Sequence, residues 1–317
     1  MEVKKYATQL LPEWTKKCPF QVKGMAIKDA VNAFYKAKGH PKFRSRHELK
    51  QSCFIPSTAI KKDALYPKIA GRGLRYSQEL PDELHDSRLV WNAGKWFLAL
   101  PQQILRVPYG ENQARVVAID PGVRTFVTFY STDRCGHIGE GDFSKIQRLA
   151  FHLDDLLSRM SKAGKQKKRR MRMAAARMRD KVKNLVDELH HKTALFLVRN
   201  FDCILLPTFE TSNLVKRAGR KIGKRSARSM LTFSHYRFKQ FLKHKAFEFG
   251  KTVLDVSEAY TSKTHPETGH LRNIGSAKRI KLQSGNWANR DEVGARNILL
   301  RALVDKPELL KLSVNNA

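Results

Sequence analysis

Three acidic residues stand at the boundary of an apolar or helical run. Asp120 closes RVVAI just before a Pro-Gly turn, Glu210 lies just past CILLP, and Asp291 sits in NRDEVGARN at the start of a helical run. Carboxylates fixed at strand ends or helix starts can converge on one point, and Mg2+ takes such hard oxygen ligands. Two ions held that way stabilise the attacking and the leaving oxygen of an in-line phosphodiester hydrolysis. Mn2+ accepts the same ligands. Each acid taken alone has a plainer reading, as a turn former or helix N-cap. Context carries the metal-binding reading: 29 Asp and Glu stand among 61 Lys and Arg, for a formal net charge of +32.

Self-repulsion on that scale calls for a polyanionic partner, and nucleic acid is the usual one. Ribosomal and histone-like proteins share the charge, but they are usually shorter and poorer in apolar strand-like runs. The positive charge is blocked. Residues 161–183 hold eleven Lys and Arg against one Asp, and 216–228 hold seven with no acid. Phosphate contact is expected from Lys165, Lys167, Lys168, Arg169, Arg170 and Arg172 in the first block. Lys216, Arg217, Arg220, Lys221, Lys224 and Arg225 are expected to do the same in the second, with Lys263 further on. The alternative is a solvated helix face and a loop. KQKKRRMR also fits a nuclear address. Phe233, Tyr236 and Phe238 either stack on bases or form the core face of an amphipathic helix.

The elements that must position these groups are legible as periodicity. The chain has 317 residues, room for two domains, and is 41% hydrophobic, enough for a core. GMAIKDAVNAFYKA places Met25, Ala26, Ala30, Val31, Phe34 and Tyr35 on one helical face. SCFIPS reads as a short strand and RLVWNAGKWFLALP as a hairpin turning at Asn92 to Lys95, with positive φ at Gly94. ARVVAIDPGVRTFVTFYST gives two strands around a tight turn, and RCGHIG a short third. From about Phe143 to Val198 the pattern is helical. FDCILLPTFE is a strand, RSMLTFSHYRFKQFLKHKAFEF an aromatic-rich helix, TVLDVSEAYTS a strand and NRDEVGARNILLRALV a closing helix. That order predicts an α/β fold with a mixed sheet flanked by helices. The four cysteines, Cys18, Cys53, Cys135 and Cys203, show no CxxC spacing, so they suggest a reducing compartment rather than a zinc site. The start has no signal-peptide core and no apolar run reaches membrane-spanning length, so no membrane partner is expected.

AIDPGVRTF, LPTFETSNLV, SHYRFKQFLKHKAFEFGKTVLDVSEAYTSKT and NRDEVGARNILLRAL together resemble the TnpB proteins of insertion sequences and their eukaryotic Fanzor relatives, which are related to type V CRISPR effectors. The blocks occur in family order over roughly 115–305. The resemblance implies an RNase H-like RuvC nuclease domain over 113–305, a degenerate zinc-knuckle insert at about 262–288 and a tail at 306–317. MAIKDAVNAFYKAKGHPKFRSR and the WNAGKWFLALP hairpin resemble the end of the family's helical recognition insert and its wedge β-barrel. They imply a partial helical segment at 1–48 and a partial barrel at 49–112, with the front end shortened. Asp120, Glu210 and Asp291 match the family's metal-binding triad. The implied activity is RNA-guided, Mg2+-dependent cleavage of double-stranded DNA, with guide RNA as a second partner. The implied location is the nucleoid of a bacterium or the nucleus of a eukaryote.

The chain departs from that pattern. The family's knuckle has two cysteine pairs after TSKT; here His265 stands at the first, and no cysteine follows. His265 and His270 do not make a closed tetrahedral site, so no structural zinc is expected. Asn289 stands where the family has Asp, and Val293 where it has Asn. Two further readings therefore stay open beside the guided nuclease. One is an impaired relic or repurposed guide-RNA or DNA-binding protein. The other is a RuvC-like nuclease that works without RNA.

Overall fold

The computed structural model describes residues 6, 10–37, 39–42, 45, 48–106, 115–208, 223–271 and 277–307. Two compact units divide the chain, 1–103 and 104–317.

In the first unit, helix α1 (Phe20–Lys36) precedes strands β1 (Lys50–Ile55), β2 (Ser87–Asn92) and β3 (Lys95–Ala99), which form an antiparallel sheet in that order. The β2–β3 hairpin turns on Ala93 and Gly94, both with positive φ (49° and 97°). A two-residue loop needs that handedness to match the twist of its strands. The glycine was the expected half of this device; Ala93 adopts the same region. Ile55, Ala59 and Ile60 anchor a small core with Leu89 and Leu98 against it. The apolar face expected on α1 is not buried: among the described residues only its Gly24 is, while Phe34 and Tyr35 are exposed. An ion pair ties α1 to the sheet, from Asp29 to Arg88 of β2 at 2.6 Å.

The second unit carries strands β4 (Val116–Pro121), β5 (Val127–Ser131) and β6 (Cys135–Ile138), then helices α2 (Asp142–Ser161) and α3 (Lys165–Asn200). Strand β7 (Cys203–Pro207), helices α4 (Lys224–Phe233) and α5 (His235–Glu248), and strand β8 (Thr252–Val256) follow. A small hairpin, β9 (Arg279–Lys281) and β10 (Trp287–Asn289), leads into α6 (Arg290–Asp305). The sheet order is β8-β7-β4-β5-β6, parallel across β8, β7 and β4 and antiparallel across β4, β5 and β6. This is the mixed sheet that the sequence predicts. Both long helical stretches are divided. The helix from about Phe143 breaks between Ser161 and Lys165, and the aromatic-rich helix breaks at Ser234, whose φ is +50°.

Strand alternation divides the sheet into two faces. Val117 and Ile119 of β4, with Ile204 and Leu206 of β7, pack under α3 and α5 against Val186, Leu189, Leu197, Phe238 and Leu242. Val116 and Ala118, with Cys203 and Leu205, face α6 and its Ile298, Leu299 and Ala302. Helices on both faces bury the central strands completely, which is why RVVAI and CILLP are continuous apolar runs. Strand register is pinned at the edge away from Asp120. Lys251 pairs with Asp202 at 2.5 Å, both nearly buried, and the same Asp202 carboxylate accepts the Arg115 N–H at 3.1 Å.

Candidate metal centre and nucleic-acid interface

Asp120 shares the face of Val116 and Ala118, so alternation alone turns its carboxyl toward α6. A tight turn follows. Gly122 donates its N–H to the Phe126 carbonyl at 3.1 Å, and a Cβ there would lie 2.6 Å from the Thr125 carbonyl oxygen. Only glycine fits. On α6, Asn289 is the N-cap, its Oδ1 accepting the Asp291 N–H at 3.0 Å. That cap fixes the first turn and holds Asp291 at the positive end of the helix. Three residues on, and so on the same helical side, Gly294 brings the backbone against Asp120: a Cβ would lie 2.8 Å from Asp120 Oδ2.

A third acid, not expected from the sequence, faces the same point. Glu258 lies two residues beyond β8, and its pKa is raised by burial. The Asp120 carboxyl is pushed up to about 7, by burial first and then by the charges of Asp291 and Glu258; the Arg290 guanidinium pulls the other way. An acid just past the end of a parallel strand was the signal that singled out Glu210. The same signal, applied to TVLDVSE, finds Glu258. Glu210 itself lies outside the described residues.

Beside the acids runs a polar row across three strands. Asp120 pairs in register with Thr128, and Thr128 with His137. The Thr128 hydroxyl is 3.2 Å from His137 Nδ1, and His137 Nε2 donates to Glu292 Oε1 at 2.9 Å. Asn289 Nδ2 lies 3.3 Å from that same nitrogen. The imidazole thus ties the first turn of α6 to the sheet, next to Asp291. Among the described residues no three His, Cys, Asp or Glu side chains stand close enough to form a metal-ligand set. Asp291 and Glu258 nevertheless both bear on Asp120 in a strongly cationic chain, and a divalent cation is what relieves such repulsion. The donor chemistry fits Mg2+ or Mn2+.

The Cas12f1-like TNB domain model matches residues 235–298, from α5 to the middle of α6. Protein R186 of Acanthamoeba polyphaga mimivirus, named as a transposase, is 29% identical over 304 residues, covering 90% of this chain and 60% of its own length. The TnpB-like protein L79 of the same virus is 27% identical over 57% of this chain and 36% of its own length. The chain is thus similar to TnpB-like proteins over these spans. A625R of Paramecium bursaria Chlorella virus 1, also named as a transposase, is 34% identical over 59% of this chain and 43% of its own. The chain therefore spans about 60% or less of the length of these relatives. Among solved structures, the Cas12f1–sgRNA–target DNA complex matches with a TM-score of 0.51 at 18% identity, over 68% of this chain and 45% of that one. The likeness is one of fold, a mixed five-stranded sheet flanked by helices, consistent with a RuvC-like fold.

The cationic residues expected in this TnpB-like chain divide between described and undescribed segments. Lys165, Lys167, Lys168, Arg169, Arg170 and Arg172 all lie exposed on the first turns of α3. None of the six forms an ion pair among the described residues. Lys216, Arg217, Arg220 and Lys221 lie outside the described residues, as do the side chains of Lys224 and Arg225. Lys263 is exposed in the turn after β8. Phe233 and Phe238 are each only 1% exposed and belong to the core, while Tyr236 is exposed. The bases-or-core alternative thus resolves to core for both phenylalanines.

Proposed function

We propose that this chain is the nuclease portion of a TnpB-type, Mg2+-dependent DNA endonuclease that works with a guide RNA. The observation that carries the reading is the acidic edge: Asp120, at the end of the central strand, is pushed up to about 7 partly by Asp291 and Glu258. Asp120, Asp291 and Glu258 would hold the divalent ions, with Glu210 as the fourth acid expected there. Bound ions supply Lewis-acid stabilisation of the attacking and leaving phosphate oxygens. The chain's own groups do the positioning. Gly294 lets α6 close on Asp120, the Asn289 cap fixes Asp291, and His137 keeps Glu292 tied back to the sheet.

Guide RNA and DNA target are supported by likeness to a complex that contains both and by the six exposed cations of α3. Those cations sit at the positive end of a helix dipole and repel one another, an arrangement that a polyanion stabilises. A second reading, a binding protein with little cleavage, is favoured by Val293, which is 6% exposed and stands on the first turns of α6 where the family has Asn. The experiment that separates them is plasmid cleavage with the co-purified RNA across Mg2+ and Mn2+ concentrations. Asp120→Ala is expected to abolish cutting and leave DNA affinity within about twofold. Absence of cutting by the unaltered protein selects the binding reading, and recovery of only random cellular RNA sinks the guided mechanism.

A further inference from the structure

The resemblance calls for a zinc knuckle in the segment between β8 and α6. The chain's four cysteines all precede it, and His270 is exposed. His265 is the remaining candidate ligand, and it is 2% exposed. Its ring nitrogens are both engaged. Nε2 donates to the Lys281 carbonyl at 3.1 Å, and Nδ1 accepts long bonds from the Glu267 and Thr268 N–H groups at 3.4 Å. A zinc ligand needs a free lone pair on neutral imidazole. Here Nε2 is protonated and the Nδ1 lone pair points at backbone donors. The residues present do not fit zinc.

We infer that residues 261–271 and 277–289 form a metal-independent knuckle in which the His265 imidazole, rather than an ion, joins the two halves. Two hairpins have to be joined. The first closes on itself through the Thr264–Leu271 bridge, with His265 N–H to the His270 carbonyl at 2.9 Å and Gly269 N–H to the His265 carbonyl at 3.0 Å. The second is β9–β10, closed by Leu282 N–H to the Asn286 carbonyl at 2.8 Å. His265 bridges them at Lys281, and the Glu267 carboxylate accepts from Gln283 N–H beside it. Zinc concentrates its hold in four bonds at one point. Here the hold is spread over the bridge and over α6. Asn297 donates both amide hydrogens, to the Thr261 carbonyl at 2.9 Å and the Thr264 carbonyl at 2.8 Å, and Arg296 reaches the Pro266 carbonyl at 2.8 Å. The second hairpin runs directly into α6, so the knuckle and the helix that carries Asp291 are one hydrogen-bonded body.

The test is metal analysis of the full chain, purified without chelator, together with amide hydrogen exchange. The expected result is no stoichiometric zinc. Thermal unfolding and exchange over 261–271 and 277–289 should be unchanged by a zinc-selective chelator or by added Zn2+. His265→Ala is expected to speed exchange at Thr264–Leu271 and Arg279–Asn289 by about tenfold while leaving β4 and β7 unchanged. His265→Gln, whose amide can donate to the Lys281 carbonyl, is expected to recover part of the protection. One zinc per chain, with protection lost on chelation, overturns the inference. So does His265→Ala exchanging like the unaltered protein. Should His265→Ala fail to fold, the metal content and chelator response of the unaltered chain still decide.

Discussion

At Gly294 a single hydrogen atom keeps the candidate centre open. Ala there would set a methyl 2.8 Å from Asp120 Oδ2, and the carboxylate, as the freer partner, would be the group that moves. Gly294→Ala is expected to leave the circular dichroism spectrum intact while removing most of the rise in melting temperature that Mg2+ or Mn2+ produces. Asp120 itself is held against its own preference. Its upward shift from 3.8 to about 7 corresponds to on the order of 4 kcal/mol of destabilisation of the charged form at neutral pH. Asp120→Asn is therefore expected to raise the melting temperature of metal-free protein by several degrees and to abolish stabilisation by divalent ions, both read by calorimetry. Of the acids, Asp120 and Asp291 were legible because each follows a recognisable periodic run. Glu258 was passed over because TVLDVSEAYTS reads as one continuous strand, whereas the strand ends at Val256 and leaves Glu258 just past its end. His137 was invisible for a different reason: its partner is 155 residues away, and cross-strand register is not written in local sequence.

Among the elements, the parallel strands depend on a polar clamp at one end so that acids can gather at the other. Asp202 serves three groups: the Lys251 ammonium and the Arg115 N–H through its carboxylate, and the Thr252 N–H through its backbone carbonyl at 2.9 Å. Asp202→Ala removes the first two and leaves a nearly buried ammonium uncompensated. A loss of about 3 kcal/mol is expected from urea unfolding, with the m-value unchanged. The order of elements along the chain was readable because four apolar runs of the right length alternate with helical periodicity; the order of strands within the sheet was not. Helix breaks were less readable. Ser234 interrupts a continuous amphipathic pattern with a left-handed residue, and nothing in the serine side chain demands that conformation. The face of α1 was misread because periodicity reports which residues share a side, not whether anything covers that side.

Taken whole, the second unit is built to lose stability in mild acid. Phe126 lies stacked between two imidazoles, His190 at 5.3 Å and His235 at 5.2 Å, and both are held neutral, burial pushing each down to about 4. The unfolded chain takes up these protons near 6.5 and the folded chain only near 4, so stability falls as pH falls between those values. Asp120 and Glu258 work in the opposite sense, since their folded forms bind a proton more readily than the unfolded ones, and they offset part of the loss. Denaturant midpoints measured from pH 7 to pH 4.5 are expected to drop modestly, and His190→Gln should lower the slope by about one proton. Helix α3 has a related consequence. Its second half, from Val186 to Val198, is rooted in the core, while Lys165 to Arg172 stand in water, crowded with like charge. One helix thus lives under two regimes, and its amides should exchange slowly at the root and quickly at the tip. A bound nucleic-acid strand would slow the tip toward the root, so that occupancy of the charged surface can be followed in solution as the lengthening of a protected rod.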